Sequence, residues 1–149
     1  MFERLYVAHP HAHANAWLAD RDGIFEDSRR GFGGQSRTAL NVFDADHFNR
    51  CQTFGWITSV RSEVRGAARP VLEEMITKLD ERGADVVGLM VLPDDDRFIE
   101  RLTRYYGTFG FEVEGDEGDE YGYPVMVSTL GAQPPCVAAK RSKRSRRHP

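Results

Sequence analysis

Apolar positions are easiest to convert into elements from Phe54 onward. FGWITSV, ending at Val60, is a short apolar run that reads as a strand. Val71, Leu72, Met75, Ile76 and Leu79 then recur at helical spacing. Pro70 fits the first helical position, where a missing N–H costs little, and Gly83 is a good stop. Asp85 to Leu92 (DVVGLMVL) is almost continuously apolar, as a strand covered on both faces is. Asp94, Asp95 and Asp96 offer capping carboxylates for a second helix, whose apolar stripe is Phe98, Ile99, Leu102, Tyr105, Tyr106 and Phe109. Phe111 to Val113 opens a further strand, Gly115 to Glu120 (GDEGDE) is an acidic turn, and Val125 to Thr129 closes a ribbon. The order strand–helix–strand–helix–strand–strand predicts an α/β fold: a mixed sheet with a central parallel strand pair, flanking helices and a C-terminal antiparallel ribbon.

The first half is patterned less sharply. Arg4 to Ala8 (RLYVA) reads as a strand, and His11 to Ala19 as a helix favoured by Ala12, Ala14, Ala16 and Leu18. Gly23 to Ser36 is glycine-rich and polar and reads as a long loop. Thr38 to Phe43 (TALNVF) reads as a strand followed by turn chemistry at Asp44-Ala45-Asp46, and Phe48 to Val60 holds one or two further strands.

Composition narrows the class. A chain of 149 residues, 40% apolar and 11% aromatic, supports one domain with a real core and excludes disorder throughout. No apolar run reaches bilayer-spanning length, and Met1 to Asn15 lacks a basic start followed by an apolar stretch, so the expectation is a soluble, cytoplasmic protein with no membrane contact. Two cysteines, Cys51 and Cys136, fit a reducing compartment; Cys136 lies beside Pro134 and Pro135, and no structural bridge is expected.

Charge divides the chain. Lys140, Arg141, Lys143, Arg144, Arg146 and Arg147 crowd into the last ten residues, and setting them aside takes the formal net charge from −3 to −9. The expected organisation is a domain over 1–130, a Pro-containing linker over 131–139 and a basic tail over 140–149. With no large apolar residue after Ala139, the tail cannot pack a core. Its six cations suit salt-sensitive contacts with nucleic-acid phosphates, an acidic protein surface, or the chain's own GDEGDE turn. His9, His11 and His13 (HPHAH) would share one face of a strand, but only His9 and His13 one face of a helix. Without a nearby Cys or carboxylate cluster at ligand spacing, the motif reads as a polar strand-to-helix junction rather than a metal site.

Four segments carry a resemblance. WITSVRSEVRGAAR, DVVGLMVLP, RYYGTFGFEV and VMVSTL, within Phe54 to Leu130, resemble the fourth strand and pyrophosphate loop, the fifth strand, the Y-x-x-x-G-F signature (Tyr106, Gly110, Phe111) and the closing strand of the GNAT acyl-CoA N-acyltransferases. The first 50 or so residues match only in allowing a strand, helices and a hairpin. The resemblance implies an acetyl-CoA-dependent N-acetyltransferase. Its pantetheine would lie between splayed fourth and fifth strands, here along Thr58, Ser59 and Val60, with an N–H near Thr58 or Ser59 polarising the thioester carbonyl. Its pyrophosphate would be held at a helix N-terminus by Arg65, Gly66, Ala67, Ala68 and Arg69. Tyr106 would protonate the departing thiolate.

The sequence also departs from that pattern. Ala68 and Pro70 stand where the loop motif Arg/Gln-x-x-Gly-x-Gly/Ala has its glycines; Ala is hampered wherever a positive φ or a close backbone approach to phosphate is needed, and Pro70 removes one donor. Arg65 and Arg69 offer a side-chain route to the same anion. Ile99 occupies the position where the family often carries an Asn. Glu63, His47 and Asp46 are the nearest candidates for a base, none convincing. The departures resemble those of small degenerate GNAT-like proteins, including virion-associated ones of short-tailed bacteriophages, and imply as the alternative a scaffold for binding or assembly.

Overall fold

Alternation in the first twenty residues builds one edge of the sheet. The computed structural model describes residues 1–31, 34–43, 45–114 and 122–128, with backbone alone at 45 and 46. Strand β1 (Phe2–His9) turns at Pro10 and His11 into β2 (Ala12–Ala19), its antiparallel partner. The segment expected to be a helix is therefore a strand. Ala12, Ala14, Ala16 and Leu18 lie on one buried face at a period of two, and this alternation outweighs the helical preference of alanine.

Three helices follow: α1 (Arg21–Arg30), α2 (Ser36–Val42) and α3 (Ala45–Arg50). They replace most of the expected Gly23–Ser36 loop and the expected Thr38–Phe43 strand. Gly23 sits inside α1 because a Cβ there would meet the Met1 carbonyl oxygen at 1.8 Å. It is a close-approach glycine, not a turn glycine. In α2, Ala39 and Phe43 are four residues apart and both fully buried, so TALNVF packs with helical spacing. Asp44 lies outside the described residues.

The second half follows the expected order. β3 (Phe54–Ser62) leads to α4 (Ala68–Glu81), β4 (Val86–Met90), a 3-10 turn (Asp96–Phe98), α5 (Ile99–Gly107), β5 (Glu112–Val113) and β6 (Val125–Ser128). The six strands are ordered β1-β2-β3-β4-β6-β5, and β3 and β4 run parallel while the other described pairs are antiparallel. Pro70 is the third residue of α4 rather than the first, still within the turn whose N–H groups have no helical partner. The GDEGDE turn, Thr129, the linker and the basic tail lie outside the described residues.

Both faces of the sheet are covered. On one, Val71, Leu72, Met75 and Leu79 of α4 pack against Leu5, Val7, Ala14, Ile57, Val87 and Leu89, with Leu102, Tyr105 and Tyr106 of α5 and Phe109 just after it at the margin. On the other, α1 to α3 close over Trp17, Phe54, Trp56, Val86, Val125 and Val127. The Trp17 and Trp56 rings stack at 6.2 Å, and Phe43 meets Trp56 edge-on at 5.8 Å. Cys51 is buried in this second layer and is disulfide-bonded, contrary to the expectation of no bridge; the chain's other cysteine, Cys136, lies outside the described residues. Among the described residues no helix is long and apolar enough to cross a membrane.

Candidate functional site

The parallel pair opens part-way along its length. β3 and β4 are in register from Phe54–Val86 to Ile57–Leu89, and there the pairing stops. Beyond that point β3 stays with β2, through Ser59–Asn15 to Ser62–Ala12, while β4 stays with β6, through Met90–Val125. Each strand follows its antiparallel neighbour, so the two part. The divergence coincides with a bulge: Asn15 faces Ser59 and Ala16 faces Ile57, leaving Thr58 as the extra residue. Its hydroxyl donates to the Asn15 carbonyl at 3.1 Å, and its own carbonyl accepts from Gln35 Nε2 at 3.1 Å. The resulting crevice, about 80 Å³, is walled by Ile57 to Arg61, Leu89, Met90, Leu92 and Tyr106.

β3 leads from the crevice into the loop before α4. The Ala67 N–H donates to the Val64 carbonyl at 3.1 Å, and Gly66, at the third position of that turn, has φ +86°. The positive φ of this loop therefore falls on Gly66, where the sequence supplies a glycine. Ala67 is helical in backbone conformation and Ala68 begins α4, so neither alanine is asked for a positive φ. No side chain caps the start of α4, leaving the first-turn N–H groups of Ala68 and Arg69 without a cap partner, while Pro70 has none to offer.

The two arginines differ in role. Arg65 is exposed on the turn. Arg69 donates to Thr108 Oγ1 at 3.0 Å, faces Glu73 at 3.7 Å, and lies over the rings of Phe109 at 4.5 Å and Tyr105 at 5.4 Å. Its side chain clamps the end of α5 to the start of α4 rather than reaching over the loop.

Tyr106 stands where the crevice meets a larger cleft of about 560 Å³; Val60, Arg61, Leu92 and Tyr106 line both. Burial, reinforced by neighbouring Tyr105, pushes its phenol pKa further above the ordinary tyrosine value, at which it is already protonated at neutral pH. The Tyr106 carbonyl accepts from the N–H groups of Phe109 and Phe111, and Gly110 between them has φ +94°. This explains the glycine of the Y-x-x-x-G-F segment: the chain must reverse there to enter β5.

The same cleft gathers residues that sequence spacing left scattered. His9, His11 and His13 all line it, because the HPHAH segment is the tip of the β1–β2 hairpin and not a strand-to-helix junction. His9 faces Glu74 at 3.6 Å and His11 faces Glu63 at 3.9 Å. Glu63 is fixed at the rim by its N–H, which donates to the His11 carbonyl at 2.8 Å. His47 is buried in α3 against Phe43, in the layer on the opposite face. Among the described residues no cluster of His, Cys, Asp or Glu is arranged to hold a metal ion.

The fold that carries this site has counterparts among known structures. The chain superposes on an agmatine N-acetyltransferase with a TM-score of 0.55 at 14% identity, covering 83% of this chain and 74% of the other. A Drosophila melanogaster polyamine N-acetyltransferase gives 0.55 and 14%, covering 83% and 72%. A Chaetomium thermophilum protein solved with a bisubstrate analogue gives 0.50 and 14%, covering 86% and 62%. The fold is the GNAT fold. No protein-family profile matches the sequence, and no curated protein matches it.

Within the GNAT fold, Thr58, Ser59, Val60 and Tyr106 come together at the crevice, with the loop Arg65–Arg69 at its far end along β3. Sequence reasoning missed Gln35, Asn15 and the histidine-bearing hairpin tip. Asn15 Nδ2 donates to Ser59 Oγ at 3.1 Å across the bulge. Strand alternation through Ala12 to Leu18 was the available signal for the hairpin. For Gln35 there was none beyond a glycine-rich stretch.

Proposed function

We propose that the chain is an acetyl-CoA-dependent N-acetyltransferase acting on an amine. One observation carries this reading: β3 and β4 separate at a bulge, and the Tyr106 phenol lines the crevice that opens there. The residues present fit the coenzyme in two respects. The crevice offers an open strand edge along Thr58, Ser59 and Val60, and the Gly66 turn leads into a helix whose first N–H groups are uncapped. Bound acetyl-CoA would supply an activated acyl group as a thioester.

Each residue then has a distinct task. The backbone N–H of Thr58 or Ser59 polarises the acyl carbonyl. Arg65 and the N–H groups of Gly66, Ala68 and Arg69 hold the pyrophosphate; the Ala67 N–H closes the turn. As the amine nitrogen bonds to the acyl carbon and the C–S bond breaks, Tyr106 would give its proton to the leaving thiolate, and the proton shed by the amine would return to the phenolate through solvent. The neighbours named as N-acetyltransferases support the reaction class, and the reading takes residues 1–130 as the acetyltransferase domain, with 131–139 as linker and 140–149 as basic tail.

Two observations favour a second reading, a scaffold that has lost catalysis: Pro70 removes a first-turn donor and the Arg69 side chain is committed to α5. In that reading Lys140 to Arg147 contact nucleic acid or an acidic partner. Titration calorimetry with acetyl-CoA separates the two, since saturable heat is expected of the enzyme and none of the scaffold. If acetyl-CoA binds, Tyr106→Phe should lower thiol release with a panel of primary amines by about 10²-fold or more while leaving acetyl-CoA affinity within about twofold. An unchanged rate removes Tyr106 as the acid.

A further inference from the structure

Gln35 is the one described non-glycine residue with a positive φ, +63°, in the region that L side chains rarely adopt. It stands directly before α2, where its backbone carbonyl accepts from Ala39 N–H at 3.0 Å. Its side chain is used at both ends. Oε1 accepts from the Trp56 indole N–H at 2.7 Å, and Nε2 donates to the Thr58 carbonyl at 3.1 Å. Trp56 is fully buried in the last paired stretch of β3, and Thr58 is the bulged residue after pairing ends. Preceding Gln35, Gly34 offers its carbonyl to the Trp17 indole at 2.7 Å, which anchors the same turn to β2.

The placement has a physical consequence. A carbonyl at the point where two parallel strands part has two courses: to extend the ladder toward β4 or to find another partner. Gln35 supplies that partner from the face opposite α4 and α5. The Thr58 hydroxyl, bonded to the Asn15 carbonyl, holds the bulge from the β2 side.

We propose that Gln35 is a positioning residue: by holding the Thr58 carbonyl it fixes the bulge and keeps the β3–β4 crevice open for an extended acyl thioester. It touches no reacting atom and acts through Thr58 and Ser59. The proposal rests on the acetyl-CoA reading given above, and its test has an arm that does not.

Two substitutions dissect the contact. Gln35→Glu keeps an oxygen for the Trp56 indole and removes the N–H that holds Thr58. Gln35→Gly removes both contacts and relaxes the positive φ, which glycine adopts without strain. In full-length protein, acetyl-CoA affinity by calorimetry is expected to fall about tenfold or more in both variants, the size set by one lost hydrogen bond at a formed site. Hydrogen exchange followed by NMR is expected to accelerate at Thr58, Ser59 and Val60 by a similar factor, while amides of the β1–β2 and β4–β6 pairs hold. The Trp56 indole N–H resonance should shift in Gln35→Gly and the Trp17 resonance stay. Wild-type affinity in both variants overturns the proposal. So does a loss that follows a lowered melting temperature with exchange raised across the whole sheet, or a failure of both variants to fold, because either marks a merely structural residue. If the wild-type protein binds no acetyl-CoA, the proposed function fails, and local exchange at Thr58 and Ser59 alone decides the role of Gln35.

Discussion

On one face of the sheet, α4 lays an aliphatic stripe on small and branched strand residues; on the other, α1 to α3 close over stacked and edge-on rings. The fully buried side chains of the aliphatic layer carry no N–H or O–H groups to satisfy and can give by small movements. The aromatic layer brings two indole N–H groups into the interior, each needing an acceptor, and Gly34 and Gln35 provide them. The crevice lies on the aliphatic side and its bulge is braced from the aromatic side. A layer that looks like mere support thus reaches the site through one side chain.

The sharpest test of this contrast uses the same substitution on two adjacent central strands. A Cβ at Gly88 would stand 2.5 Å and 2.7 Å from ring atoms of Trp56 and 3.3 Å from Phe43. At Gly55 it would stand 3.1 Å from methyl groups of Leu79 and Val87. Gly88→Ala should therefore cost about 2–3 kcal/mol, because rigid rings pinned by a hydrogen bond must move. Gly55→Ala should cost less than about 1 kcal/mol, because the end of Leu79 can rotate away. Urea melts of the two variants at neutral pH measure the difference. Equal costs would show that the two layers are equally compliant.

What the sequence disclosed follows the same division. The aliphatic face is made largely by elements that carry their own period: Val71 to Leu79 at helical spacing and DVVGLMVL as a buried strand. The aromatic face is made by short helices whose signals pointed elsewhere. Gly23 reads as a loop residue until the Met1 carbonyl is seen against it. TALNVF is rich in strand formers, yet Ala39 and Phe43 fill one helical face. In β2 the signal was present and outranked: alanines suggested a helix, although their spacing of two was that of a strand. The strand, turn and helices that carry Arg65 to Arg69 and Tyr106 were legible because local pattern and resemblance agreed there. Gln35 was not, because its role depends on a bulge formed 23 residues later.

A smaller effect is expected where the site layer is held together. Arg69 bonds Thr108 and lies over the rings of Tyr105 in α5 and Phe109 just beyond it, and α5 has no fully buried residue of its own. Arg69→Ala should lower stability by about 1 kcal/mol, the scale of a partly exposed cation–π contact with one hydrogen bond. Proteolysis within α5 should rise more than proteolysis within α4, and equal susceptibility would deny that Arg69 is what fastens this helix.

The smallest effect concerns the start of the aromatic layer and carries a pH signature. Asp20 caps α1, its Oδ1 accepting from Gly23 N–H at 2.8 Å and from the Met1 ammonium at 3.1 Å. The Gly23 hydrogen bond holds its carboxyl pKa below the usual value; burial opposes this and the ammonium adds to it. A carboxyl lowered in the folded state contributes stability that is fully present above its unfolded pKa of about 3.9 and is lost as pH falls through the folded value. Asp20→Ala should cost about 1 kcal/mol at pH 7, the usual worth of a helix cap. Asp20→Asn retains a capping acceptor and should cost less at pH 7. Both variants should converge on wild type as the pH of the melt is lowered below about 4, where the native carboxyl is progressively protonated. A gap from wild type that persists undiminished to pH 2 would show that the side chain acts through packing and not through its charge.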